Sequence, residues 1–167
     1  MKSLFLSVFF LISLGQVCQA QAPDRSRGQS VFVEVLGNGL IYSVNYDTRF
    51  SQGMNGLGGR AGIGYIAMDG VRFTSVPLLV NYLFGHDKHF FEIGVGATIL
   101  VGSAGNQGGF GPAGERDRES GAIGTMSLGY RLEPTDGGFL FRAGITPIYD
   151  SSAFWPLWPQ LSFGYAF

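Results

Sequence analysis

The chain has 167 residues, with 11 Lys and Arg against 12 Asp and Glu, 27 glycines and 15 phenylalanines. The near balance of charge, without a basic stripe or charge run, excludes a nucleic-acid surface, and glycine and aromatic residues in such number argue against a helical protein. After residue 20 no stretch approaches the ~20 apolar residues of a spanning helix, so a passage through a membrane would have to be made by strands.

The first 20 residues read as a secretory signal. Lys2 gives the positive start, Leu4 to Leu14 the apolar run, and Cys18-Gln19-Ala20 the small residues at the two positions a signal peptidase reads. Cleavage is expected after Ala20, because a cut after Ala22 would place Pro23 just past it. Gly15-Gln16-Val17 ahead of Cys18 departs from the Leu-small-small-Cys order of lipoprotein signals. Loss of the first 20 of 167 residues leaves 147 without cysteine, and so without disulfide or thiol chemistry. Loss of Lys2 leaves 10 bases against 12 acids, a net charge of −2. Residues 21–28 are then a short periplasmic segment and residues 29–167 one domain.

Eight segments follow in which large apolar residues alternate with small or polar ones, each near the ~9–11 residues of a tilted spanning strand. The first, Gln29–Gly37, turns Val31, Val33 and Val35 to one side; the second, Leu40–Phe50, turns Tyr42, Val44 and Tyr46. Asn38-Gly39 between them is a two-residue hairpin signal for a type I′ turn. A turn there pairs Val35 with Tyr42 and Val33 with Val44, so both apolar faces coincide. The third, Leu57–Ala67, puts Ile63 and Tyr65 outward and Arg60 inward. The fourth, Arg72–Gly85, carries Pro77, and the seventh carries Pro147 near its end; proline cannot donate to the ladder and marks a bulge or a strand limit, and a bulge is expected near Pro77. The fifth, His89–Val101, puts Ile93 and Val95 outward and Glu92 inward. The sixth, Gly121–Leu132, the seventh, Gly138–Tyr149, and the eighth, Leu157–Phe167, complete the set, with Arg131 and Arg142 inward.

Five ionisable residues within these stretches, Glu34, Arg60, Glu92, Arg131 and Arg142, all lie on the small or polar side of the alternation. A soluble sandwich or lipocalin-like barrel would bury the apolar side and wet these charges. The apolar side is too continuous for that, and the expected fold is an all-β, eight-stranded antiparallel up-and-down transmembrane barrel with its polar face inward. An even strand number brings both termini to one side. The connections Ser51–Gly56, Gly85–Lys88 and Glu133–Gly137 are then short and periplasmic, and the two longer ones, Gly102–Ser120 and Asp150–Pro156, lie outside. Ten outward aromatics, Tyr46, Phe50, Tyr82, Phe84, Phe91, Tyr130, Phe139, Phe141, Tyr165 and Phe167, fall at the periplasmic ends, as a one-sided interface girdle. The inward charges need partners, since an unpaired buried charge costs several kcal/mol. Glu34 and Glu92 are therefore expected to pair with some of Arg60, Arg131 and Arg142.

The export signal, the eight alternating segments and the aromatic end together resemble the small outer-membrane β-barrels of the OmpA/OmpX type. Within Leu161–Phe167, the terminal Phe167 with Tyr165 and Phe163 resembles the strand signal read by the outer-membrane assembly machinery. The Gly37-Asn38-Gly39 turn and the Asp136–Gly144 run resemble barrels of Bacteroidota-type bacteria. The resemblance implies outer-membrane lipid and that assembly machinery as partners.

No activity follows from it, because fold does not imply function. His86-Asp87-Lys88-His89 reads as a solvated turn, and no catalytic residue, metal or cofactor is assigned. Outer-membrane lipid A deacylases and palmitoyl transferases are barrels of similar size that use serine and histidine, and no serine is suitably placed beside either histidine here. The Gly-rich connection Gly102–Ser120 is the candidate contact for an extracellular ligand, through Glu115, Arg116, Asp117, Arg118 and Glu119. The leading role is non-enzymatic, structural or surface-interacting. The alternatives are a narrow channel for small or hydrophobic solutes and, behind it, a lipid-modifying enzyme.

Overall fold

A computed structural model describes residues 26–68, 71–104, 118–150 and 153–167. The signal, the cut after Ala20, and Glu115, Arg116 and Asp117 lie outside these residues. The described chain is almost all strand: β1 Gln29–Leu36, β2 Tyr42–Arg49, β3 Gly56–Met68, β4 Val71–His86, β5 His89–Ala104, β6 Arg118–Leu132, β7 Gly138–Ile145 with its continuation β8 Ile148–Tyr149, and β9 Phe154–Trp155 leading into β10 Pro159–Ala166. Counting β7 with β8 and β9 with β10, eight antiparallel strands form the wall. It closes where β10 pairs with β1, Phe163 opposite Val33. Closure leaves no sheet edge, so the strand backbone can be satisfied without water.

The alternation sets inside and outside as expected. In β1 Val31, Val33 and Val35 are exposed while Ser30, Phe32 and Glu34 are buried. The same division continues through Val80, Val95 and Phe163 outside and Asn81, Glu92 and Ser162 inside. Not every inward residue is polar. Phe32, Leu140 and Ala166 form an apolar cluster in the lumen, and Leu83 and Phe90 are buried beside the β4–β5 turn.

Four details differ from the sequence reading. The register of the first hairpin is the expected one, with Val35 opposite Tyr42 and Val33 opposite Val44, but the turn is not a two-residue type I′ loop. Leu36 N–H bonds the Ile41 carbonyl at 2.7 Å, and Gly37–Gly39 forms a 3₁₀ turn between them. Positive φ falls on Leu36 (61°), Gly37 (68°) and Leu40 (75°), not on Asn38. The cause is Asn38, which is fully buried and bonds lumen groups that an external turn could not reach.

The bulge expected at Pro77 is elsewhere. Pro77 faces Thr98 in an unbroken β4–β5 ladder, and β3–β4 keeps one register from Ala61–Leu78 to Gly64–Ser75. The irregularity is at Pro147. Thr146 N–H bonds the Trp158 carbonyl at 2.6 Å, yet Ile148 faces Trp155. Pro156 and Leu157 thus stand together opposite Pro147, the two-against-one count of a β-bulge.

The aromatic girdle is not one-sided. Beyond the ten residues above, Tyr42, Tyr65, Tyr149, Phe154 and Trp155 are exposed toward the opposite rim. The strands also run further than the alternation indicated: Ser103 pairs with Arg118 and Gly102 with Glu119, so Arg118 and Glu119 belong to β6 and not to a loop.

Close strand contact makes one testable demand. Gly129 and Gly144 pair directly across β6 and β7. A Cβ on Gly144 would lie 2.6 Å from Gly129 Cα and 3.0 Å from the Leu128 carbonyl carbon. Gly144→Ala is expected to lower unfolding free energy by ~1–3 kcal/mol, as overpacking does, read by urea titration of the refolded barrel.

Candidate functional site

The polar lumen begins with backbone alternation. Glu92 points inward because Phe91 and Ile93 point outward. Arg131 and Arg142 occupy directly opposed inward positions on β6 and β7. Like charges opposite one another destabilise a sheet, so this pair requires an acid between them. Glu92 provides it: its Oε2 accepts from Arg142 Nε at 3.1 Å and from Arg131 Nη1 at 3.3 Å, and its Oε1 accepts from Arg142 Nη2 at 2.6 Å. Arg60 Nη2 also donates to Glu92 Oε1. Glu34 meets Arg60 Nη1 at 3.2 Å and stands 3.6 Å from Arg142 Nη1. The structure thus brings together Glu34, Arg60, Glu92, Arg131 and Arg142.

Three more charged residues belong to the network. Asp47 joins Arg49 at 2.5 Å and Arg131 at 3.1 Å, and Glu133 joins Arg131 at 2.5 Å. Asn81 links Arg49 to Asp47, accepting at 2.6 Å and donating at 2.5 Å. Asp47 and Arg49 share the inward parity of Ser43 and Asn45, so the alternation carries a signal for both. Glu133 reads as a turn residue in the sequence, although it lies two residues beyond Arg131 on the same face. Among the described residues, the buried charges are four acids, Glu34, Asp47, Glu92 and Glu133, and four arginines, Arg49, Arg60, Arg131 and Arg142. Phe32 lies beneath two of the guanidinium groups, its ring centre 4.5 Å from Arg142 Cζ and 5.4 Å from Arg60 Cζ.

Each ion pays several kcal/mol of desolvation, which mutual pairing offsets, and the four acids formally balance the four arginines. At one end of the lumen the inward Gly37–Gly39 turn adds a cover: Asn38 N–H bonds Glu34 Oε1 at 2.9 Å, and its Oδ1 accepts from Arg60 Nη1 at 3.0 Å.

Other candidate groups lie apart from this network. His86 and His89 face each other across Asp87 and Lys88, all four exposed, with His89 Nδ1 2.6 Å from the Tyr130 hydroxyl. No group of three or more His, Cys, Asp or Glu able to hold a metal ion occurs among the described residues. A cavity of about 450 Å³, lined by Tyr46, Phe50, Ala61, Leu78, Val80 and Val95, opens on the outer face and not in the lumen. Phe163, Tyr165 and Phe167 are exposed along the closing strand.

No protein-family model and no curated protein matches this chain. Among solved structures, the N-terminal β-barrel domain of OprF from Pseudomonas aeruginosa matches with a TM-score of 0.62. The likeness is one of fold. It covers 86% of this chain and 98% of that one at 14% identity, and corresponds to a small closed β-barrel.

Proposed function

We propose that this protein is an outer-membrane barrel with a non-enzymatic structural or surface-interaction role. The observation that carries this reading is the pairing of a continuous apolar exterior with a neutral lumen. Val33, Val80, Val95 and Phe163 are 47%, 47%, 52% and 44% exposed, while Arg49, Arg131 and Arg142 are at most 1% exposed. An apolar surface of that extent on a monomer needs a covering, and lipid is the covering that fits a band edged by aromatic belts at both rims. A lumen filled by side chains is what an eight-stranded barrel is wide enough to hold, and it favours closure over steady conduction.

On this reading the membrane-facing partners are outer-membrane lipid and, through Phe163, Tyr165 and Phe167, the assembly machinery. An extracellular ligand is expected to bind at the connection between β5 and β6. Planar-bilayer recording tests the role: the wild-type barrel is expected to give no stable single-channel steps, with heat-modifiable migration in detergent gels. Reproducible steps would replace this reading with the narrow channel. An altered lipid A mass profile in cells carrying the protein would instead favour the enzyme. Surface protease tests the placement, with cleavage expected near Arg116 and protection of the wall.

A further inference from the structure

The inward turn and the defect at Pro147 meet at one hydrogen bond. Met126 N–H donates to the Pro147 carbonyl at 2.9 Å. In an antiparallel pair of this kind the partner residue returns the bond. Proline has no N–H, so the Met126 carbonyl lacks its ladder donor. Asn38 Nδ2 donates to that carbonyl instead, at 3.1 Å, from a turn 88 residues away in sequence.

The remaining bonds of the turn hold it in place for this task. Asn38 N–H donates to Glu34 and its Oδ1 accepts from Arg60, while its backbone carbonyl accepts from Thr98 Oγ1 at 2.7 Å and the Gly39 carbonyl accepts from Ser75 Oγ at 2.9 Å. The turn is therefore held by β1, β3, β4, β5 and β6 together. The inward geometry is strained: Leu36 and Leu40 take φ of 61° and 75°, which bulky residues rarely adopt and which persists only where surroundings enforce it. The strand register, with Val35 opposite Tyr42, is equally that of a tight external turn on Asn38-Gly39. One register thus serves two turn geometries, one relaxed and outside, one strained and inside.

We infer that Gly37–Gly39 is a latch that completes the barrel wall at Pro147. With Asn38 inside, the wall between β6 and the seventh strand is closed. With the turn withdrawn, the Met126 carbonyl is unpaired, only the Met126 N–H to Pro147 bond holds the wall between the pairs Leu128–Ile145 and Thr125–Ile148, and the wall opens there. The bulge of Pro156 and Leu157 on the far side of Pro147 lets the segment give way. This goes beyond the closed-barrel reading, since it says where and by which residue the closure can fail.

A double-mutant cycle tests it in planar bilayers with four proteins: wild type, Asn38→Ala, Pro147→Ala, and both together. The Pro147→Ala change restores the missing N–H, so it makes Asn38 dispensable. Asn38→Ala alone is expected to raise the frequency of brief openings at least tenfold, and the double variant to return within threefold of wild type. Openings raised equally in both backgrounds, or in neither, would overturn the latch. Should a variant not refold, amide exchange in the wild-type barrel decides. The Asn38 side-chain amide protons are expected to exchange at least tenfold more slowly than those of exposed Asn55, and equal rates would overturn the proposal. Steady conduction by the wild type would count against the proposed function and leave the latch standing.

Discussion

Glu92→Ala is expected to lower the unfolding free energy of the refolded barrel by about 3–5 kcal/mol, the range for breaking a buried ion pair from one side. The size follows from geometry. Glu92 alone contacts Arg60, Arg131 and Arg142. Removing it leaves two arginines directly opposed on β6 and β7 with no acid between them. Asp47 and Glu133 still hold Arg131, and Glu34 stays near Arg142 and Arg60, so the barrel is expected to fold with reduced stability. Urea titration followed by the fluorescence of Trp155 and Trp158 measures the loss. Adding Arg142→Leu to Glu92→Ala should cost less than the sum of the two changes by ~0.5–3 kcal/mol, because contacting residues are not additive. A loss below about 1 kcal/mol for Glu92→Ala would mean that the network behaves like a solvated surface pair.

Val95→Arg is expected to destabilise the barrel in a bilayer by about 2–4 kcal/mol, the cost of an arginine on the lipid face near the midplane. Val95 lies between Val80 and Met126 on the outer wall and is 52% exposed. In a water-soluble protein, a half-exposed valine away from any special feature could become arginine at a cost within about ±0.5 kcal/mol. The same residue therefore gives opposite results under the two readings. Phe139→Arg at the rim provides the depth control, with an expected cost of ~0–1 kcal/mol. Equal, negligible effects at both positions would point to water outside.

The parts of the fold that repeat were legible in the chain. Alternation with a period of two is local, so it placed Glu34, Arg60, Glu92, Arg131 and Arg142 on one face without any knowledge of their neighbours. The hairpin register was legible for the same reason, since Val33 and Val44 have to share a face. What was not legible depends on chain segments far apart in sequence. Asn38 carries a strong local turn signal, and that signal is overridden because Asn38 bonds groups on β1, β3 and β6 that lie far apart in sequence. Pro77 and Pro147 look alike as sequence. Pro77 fits an unbroken register, whereas Pro147 has a bulge on one side and a borrowed hydrogen bond on the other. Asp47 and Arg49 were within reach of the alternation, since they share the inward parity of Ser43 and Asn45.

Solvent access at single sites tests the central claim most directly. The only cysteine is Cys18, within the expected signal, so single-cysteine variants of the mature barrel carry a fluorescent label at one position each. Labels at Val33, Val95 and Phe163 in liposomes are expected to be quenched by lipid-borne quencher and to be indifferent to aqueous iodide. Strong iodide quenching at those three positions, with none from the lipid, would contradict an exterior made for the membrane.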